Sequence, residues 1–235
     1  MKKLLHNSKI FKFGFTLAEV LITLVIVGVI AALTIPTLVA GYKKSVVESR
    51  LKKMYSTLAN AVKMSIVSNG DIIGWDYNNQ NFENFLSIYL LPYIQNAKIT
   101  MINDYTCKVI LADGTSWEIA KEGSPFWLVV RVDINGDAKP NKFGYDQFKF
   151  YIFNQAKSLY NAGNGNIAYN VPSQGVYYSG YGASKNELLN SAYRRCSNSD
   201  DGFDSRYEYA RNSHCIALII QNNWKIPSDY PLNLL

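Results

Sequence analysis

The chain has 235 residues, with 24 Lys+Arg against 18 Asp+Glu, 48% hydrophobic residues and only 18% charged ones. That length suits one domain with an appendage, and the composition excludes both a disordered chain and one that is highly charged throughout. Two histidines and three cysteines exclude a His-rich metal site, a four-Cys zinc site and a dense disulfide scaffold.

The net charge of +6 and a pI near 9.0 raise the question of a nucleic-acid partner, which the location of the charge answers. Lys2, Lys3, Lys9 and Lys12 open the chain without an acid beside them. Lys43, Lys44, Arg50, Lys52 and Lys53 form a second cluster with Glu48 among them. Residues 1–53 carry +7 and the rest −1. The bulk of the protein therefore lacks the concentrated basic surface that phosphate neutralisation needs, and no nucleic-acid partner is expected.

Between the two basic clusters, Val20 to Gly41 runs 22 residues without a charge. As a helix rising about 1.5 Å per residue it spans about 33 Å, enough for a hydrocarbon core of about 30 Å. The leading lysines predict a cytoplasmic N-terminus and a translocated remainder, while the second cluster works against that orientation. A cleavable secretory signal ending at Leu38-Val39-Ala40 is the alternative, but its apolar region should be only about 7–15 residues long. Glu19 stands at the start of this helix, where a carboxylate near lipid is costly and points to a partner or a function.

The run Gly14-Phe15-Thr16-Leu17-Ala18-Glu19-Val20-Leu21-Ile22-Thr23-Leu24 resembles the N-terminus of the type IV pilins and type II secretion pseudopilins. Like the class III signal, it has a short basic leader ending in glycine, then a phenylalanine, and a glutamate in fifth place. Gly28 and the helix-kinking Pro36 also fall at familiar positions, so the likeness covers residues 9–45. The resemblance implies that residues 1–14 are a leader, that a prepilin peptidase cuts between Gly14 and Phe15, and that the new Phe15 amine is methylated. It further implies a structural, non-enzymatic subunit in which residues 15–41 form the transmembrane and polymerisation helix. Assembly would rest on Phe15, Glu19 and Pro36, with Glu19 of one chain pairing the Phe15 amine of the next. Partners would be homologous subunits, the peptidase, an inner-membrane assembly platform and lipid. The subunit would sit in the inner membrane as a single-pass protein with a periplasmic head, and later in a filament. A type II secretion pseudopilus is the first reading, a type IV pilus for adhesion, motility or DNA uptake the second. A membrane-anchored binding domain that never polymerises is the alternative of another class.

Beyond the span, Val47, Leu51, Met54, Tyr55, Leu58, Ala61, Val62 and Ser65 recur at intervals of three and four, predicting an amphipathic continuation over residues 42–68. Phe15–Ser68 would then be one helix of about 80 Å, kinked at Pro36 and stopped at Asn69-Gly70-Asp71. This agrees with the pilin ground plan of a long helix followed by a globular head.

Residues 69–235 read as an α+β head, a helix packed on a small antiparallel sheet with long loops. A short helix is expected over Phe82–Ile94, ending near Pro92. Strands are expected at Lys108–Leu111 and Thr115–Ala120 around an Asp113-Gly114 turn, then at Phe126–Asp133, Phe148–Phe153 and, as a late apolar strand, Cys215–Gln221.

Asp133, Asn135, Asp137, Asn141 and Asp146 crowd one loop, a pattern able to surround Ca²⁺ through Asp133, Asn135, Asp137 and Asp146. The loop departs from an EF-hand, with Ala138 in place of the turn glycine and Gly144 in place of the bidentate glutamate. It is similar to the Asp/Asn-rich turn of pseudopilin heads, some of which bind calcium. The alternative is a rigid loop of Asx turns that bonds itself, so no cofactor is required. Cys196 and Cys215 bracket a polar loop, and an oxidising compartment makes their disulfide the default. The closed loop resembles the stapled C-terminal loop of many pilins. Pairing of Cys107 with either remains open, and its simplest role is a small buried residue. Residues 202–211 alternate aromatics and charges, and Asn222–Pro231 resembles a C-terminal segment of pilin-like proteins. His214 is the one histidine past the leader, Asp200 and Asp201 sit in a polar loop, and no phosphate loop or nucleophile elbow is evident. An enzyme is not expected.

Overall fold

The computed structural model describes residues 14–77, 81–121, 127–154, 157–159, 169–171, 174–190, 196–198 and 211–232. The chain divides into two units between Tyr42 and Lys43.

In the first unit Gly14, Phe15 and Thr16 precede the helix, and α1 (Leu17–Asn69) begins at Leu17. The large apolar side chains of this unit are exposed, Phe15 at 89% and Leu33 at 72% among them, and α1 is long and apolar enough to cross a membrane. Pro36 lies inside the helix. The hydroxyls of Thr23, Thr34 and Thr37 donate to the carbonyls of Val20, Ile30 and Thr34 at 2.8–2.9 Å. The span thereby satisfies its own polar side chains, as a helix without water beside it must.

In the second unit α1 continues, and Leu51, Met54, Leu58, Ala61, Val62 and Ser65 are buried, with Val47 and Tyr55 packed beside them. These are the positions that the three-and-four spacing selects. The helix stops at Gly70, whose φ of 79° suits glycine and whose N–H donates to the Ile66 carbonyl at 2.9 Å. Next comes α2 (Phe82–Tyr89), capped by the Asn81 side chain accepting from Asn84 N. A 3₁₀ turn at Leu91–Tyr93 takes up Pro92.

The sheet has six antiparallel strands in the order β1 (Ala97–Asn103), β2 (Thr106–Leu111), β3 (Ser116–Ala120), β4 (Trp127–Asp133), β5 (Gln147–Phe153) and β8 (Gly175–Tyr178). A separate pair joins β6 (Lys157–Leu159) and β7 (Tyr169–Val171). Cys107, Ile119, Val130 and Phe150 lie in register across β2 to β5. They share one core with Leu51, Met54 and Leu58 of α1, and the Tyr55 and Phe150 rings lie 5.7 Å apart. Lys108, Glu118, Arg131 and Lys149 form the adjacent row, which alternation turns to the other face. Arg131 pairs Glu118 there. The β2–β3 hairpin turns through Ala112-Asp113-Gly114: Leu111 N donates to Thr115 O at 2.9 Å, Gly114 takes φ 81°, and Asp113 accepts from Thr115 N and Oγ1.

The α+β layout with a long N-terminal helix is therefore present, with three differences from expectation. Cys215–Gln221 is a helix, α4, rather than a strand. A run of six apolar side chains, Cys215 to Ile220, carries no period. Here Ile216 and Ile219 enter the main core, while Cys215, Ala217 and Leu218 enter a second cluster with Leu188 and Cys196. Only helical spacing serves both sides. The sheet also begins one strand earlier, because β1 is an edge strand with no fully buried residue and so shows no apolar alternation. Lastly, β8 and the short α3 (Lys185–Asn190) extend the head beyond the expected strands. Phe126, expected to open β4, lies outside the described residues.

Candidate functional site

The N-terminal segment places Gly14 and Phe15 in exposed, non-helical chain immediately before α1. Thr16 is the N-cap. Its N–H and its hydroxyl both donate to Glu19 Oε2 at 2.8 Å, and Glu19 N donates back to Thr16 Oγ1 at 3.2 Å. This is a capping box, in which the residue at the third helical position satisfies the N-cap amide that the first turn leaves over. Glu19 thus has a partner within its own chain, in addition to the intersubunit partner expected from its cost in lipid. The Thr-x-x-Glu spacing before an apolar run was the signal for it. Lys2, Lys3, Lys9 and Lys12 of the leader lie outside the described residues.

In the head, the basic cluster after the span is partly spent on internal bonds. Arg50 Nη1 donates to the Ile134 carbonyl at 2.7 Å, and Lys53 pairs Asp113 at 2.6 Å. Partial burial alone would raise Asp113, but hydrogen bonds from Lys53 and Thr115 pull it down to about 2. Glu48 accepts from Lys225 Nζ at 2.7 Å and from Ile226 N at 2.9 Å, fastening α1 to the C-terminal segment. Nothing in the spacing of the sequence joins residue 48 to residue 225, so this clasp was not legible there.

The Asp/Asn loop follows from Asp133 at the end of β4. Asp133 Oδ1 accepts from Asn135 N at 3.1 Å, an Asx turn, and Oδ2 accepts from Gln147 Nε2 at 3.0 Å. Buried Asp146 accepts from Asn141 N and Lys142 N, each at 2.8 Å, and from Asn135 Nδ2 at 3.3 Å. Exposed Asp137 turns to Lys108. Burial pushes the Asp133 carboxyl up and the neighbouring Asp146 and Asp137 charges add to this, against the hydrogen bonds from Gln147 and Asn135. The four residues expected to ligate calcium therefore share one loop, but N–H donors occupy the oxygens of Asp133 and Asp146, and Lys108 faces Asp137. Among the described residues no three His, Cys, Asp or Glu side chains are grouped to hold a metal. As arranged, the oxygens of Asp133, Asp137 and Asp146 are engaged by donors of the loop itself and by Gln147 and Lys108. Gly144 in the same loop has φ 82°, and Tyr230 Oη donates to its carbonyl at 2.7 Å.

Cys196 and Cys215 form the expected disulfide, with their Cα atoms 4.7 Å apart, and Cys107 is a free, buried thiol. Burial pushes the Cys107 thiol up, away from the thiolate a nucleophile needs. His214 is buried one position before Cys215. Asp200, Asp201 and most of the 202–211 stretch lie outside the described residues.

What these observations define is an α+β protein with a disulfide-closed head and one N-terminal helix fit to cross a membrane. By comparison with family models the chain belongs to a family of unknown function (DUF6613), whose model matches residues 37–234. That span takes in the helix from Thr37 onward and nearly all of the head, and leaves the Gly14–Leu24 run outside it. Neither the curated proteins nor the solved structures returned a match.

Proposed function

We propose that the chain is a pilin-like structural subunit, cut by a prepilin peptidase between Gly14 and Phe15 and methylated at the new amine. It then polymerises through α1 within a type II secretion pseudopilus. The observation that carries this reading is Glu19, the one acid at the head of the exposed apolar part of α1, where Val20 to Gly41 is otherwise uncharged. Thr16 takes only Oε2 of that carboxylate. Oε1 is left to a cation, and the Phe15 amine of a neighbouring subunit is a cation created by the cut itself. Two charges that are each costly near lipid then compensate one another on assembly. The exposed, non-helical Gly14–Phe15 bond supports the same reading, because a peptidase needs its substrate outside a helix.

On this reading the partners are other pilin-like subunits, the peptidase, an assembly platform and inner-membrane lipid, with the N-terminus cytoplasmic and the head periplasmic. The head acts by packing and contact rather than by catalysis. Replacing Gly14 by valine is expected to leave full-length precursor in the membrane, resolved from processed protein by intact mass. Normal shortening in that variant would remove the cleavage claim.

We also infer that the 133–146 loop is held by its own hydrogen bonds rather than by calcium. Asp146→Ala deletes the acceptor of three N–H donors, two of them backbone groups, and is expected to cost about 2–4 kcal/mol. In thermal unfolding the loss should be equal with millimolar Ca²⁺ or with chelator. A calcium-dependent rise in the unfolding temperature of the unaltered chain, absent from the variant, would restore the metal reading.

A further inference from the structure

The basic cluster that follows the span works against the orientation expected from the leader, and the fold uses only part of it. Arg50 donates to the Ile134 carbonyl and Lys53 pairs Asp113, while Glu48, the acid among them, is taken by Lys225 and Ile226 N. Lys43, Lys44 and Lys52 are left over. Among the described residues no ion pair or side-chain hydrogen bond engages them. Lys43 and Lys52 are exposed and Lys44 is half-buried.

Two of the three have a fixed depth. Helix α1 is continuous through this stretch, so Lys43 and Lys44 follow Gly41, the last residue of the uncharged run, by about 3 Å and about 4.5 Å along the axis. The polar layer outside a hydrocarbon core is about 5–8 Å deep on each side. Tyr42, exposed at 70%, stands between the run and Lys43, and aromatic residues mark the membrane–water boundary. Both ammonium groups therefore lie at headgroup depth. Lys52 stands about 14 Å further along the helix than Lys43, beyond the screening length of about 8 Å at physiological salt.

We propose that Lys43 and Lys44 bind the headgroup phosphate of an anionic phospholipid where α1 leaves the bilayer. An ammonium is a compact point charge with three donors, suited to phosphodiester oxygens. A zwitterionic headgroup brings its own cation to the two lysines, and an anionic one does not. The proposal rests on α1 crossing a membrane, as in the reading above, and needs neither cleavage at Gly14 nor polymerisation.

The test is titration of the full chain in detergent micelles with phosphatidylglycerol or phosphatidylcholine, the bound lipid being counted by native mass spectrometry. Phosphatidylglycerol should bind more tightly than phosphatidylcholine. The double variant Lys43→Gln, Lys44→Gln should bind it about thirtyfold more weakly, about fivefold for each lysine at an anionic surface. Lys52→Gln should change the affinity by less than about twofold, because its charge is screened. The leader lysines are the same in all three chains and drop out of the comparison. Glutamine has nearly the helix propensity of lysine, and co-flotation with phosphatidylcholine vesicles checks that each chain enters a bilayer. Equal binding of the two lipids, affinity unchanged in the double variant, or an equal loss in Lys52→Gln would each overturn the proposal alone. An unaltered chain that fails to float with vesicles would overturn the span on which it rests.

Discussion

Glu19→Gln is expected to abolish filament assembly while leaving the helix cap in place. Glutamine at the third helical position still accepts from the N-cap N–H, so the Thr16 capping box survives the change, whereas the charge that would meet a neighbour's Phe15 amine is gone. Glu19→Ala removes both, and the cap alone contributes about 1 kcal/mol. The two variants therefore separate a local role from an intersubunit one. If sedimentation of sheared filaments shows no polymer in either variant, the charge is what matters. If Glu19→Gln assembles and Glu19→Ala does not, Glu19 is a helix cap and the pairing claim fails.

The second large effect is expected at Gly144. A Cβ there would lie 2.5 Å from Leu232 Cδ1, 2.7 Å from Cys215 Sγ and 3.0 Å from Cys215 Cβ, on backbone with φ 82°. Overpacking costs about 1–3 kcal/mol and left-handed backbone about 1–2 kcal/mol for a residue bearing a Cβ. Gly144→Ala should accordingly lower stability by about 3 kcal/mol, or the unfolding temperature by about 10 °C at this size. Gly114 has nearly the same φ, 81°, with nothing within 4 Å of its Cβ position. Gly114→Ala should show the conformational part alone. Equal losses at the two glycines would mean that the contacts with Leu232 and the disulfide carry no weight.

Gly144 also shows what local sequence leaves out of this loop. The Asp and Asn spacing is that of a cation loop, but the glycine that breaks the EF-hand pattern is required by the packing of Leu232 and Cys215 against it. Both partners are more than seventy residues away, and no local pattern reveals them. The helix was legible for the opposite reason: burial of Leu51, Met54, Leu58, Ala61, Val62 and Ser65 follows from a period contained within one element. The β2–β3 hairpin was readable because Asp113 and Gly114 set the turn by local bonds. By contrast α4 lacks a polar face, so its type is decided by two cores meeting at it, and β1 lacks a buried one. At the N-terminus both the cost of Glu19 in lipid and its bond to Thr16 lie within the sequence, the second as a Thr-x-x-Glu spacing.

The Glu48 clasp and the row of Lys108, Glu118, Arg131 and Lys149 across the sheet are likewise products of the assembled fold. Each charged residue there is placed by strand register or by chain return rather than by its neighbours in sequence.

The most direct measurement is the N-terminus of the protein isolated from membranes, determined by intact mass and N-terminal peptide sequencing. The chain is expected to start at Phe15 and to carry a methyl group on its amine. A chain that retains Met1 to Gly14, or one cut after Ala40, would contradict it.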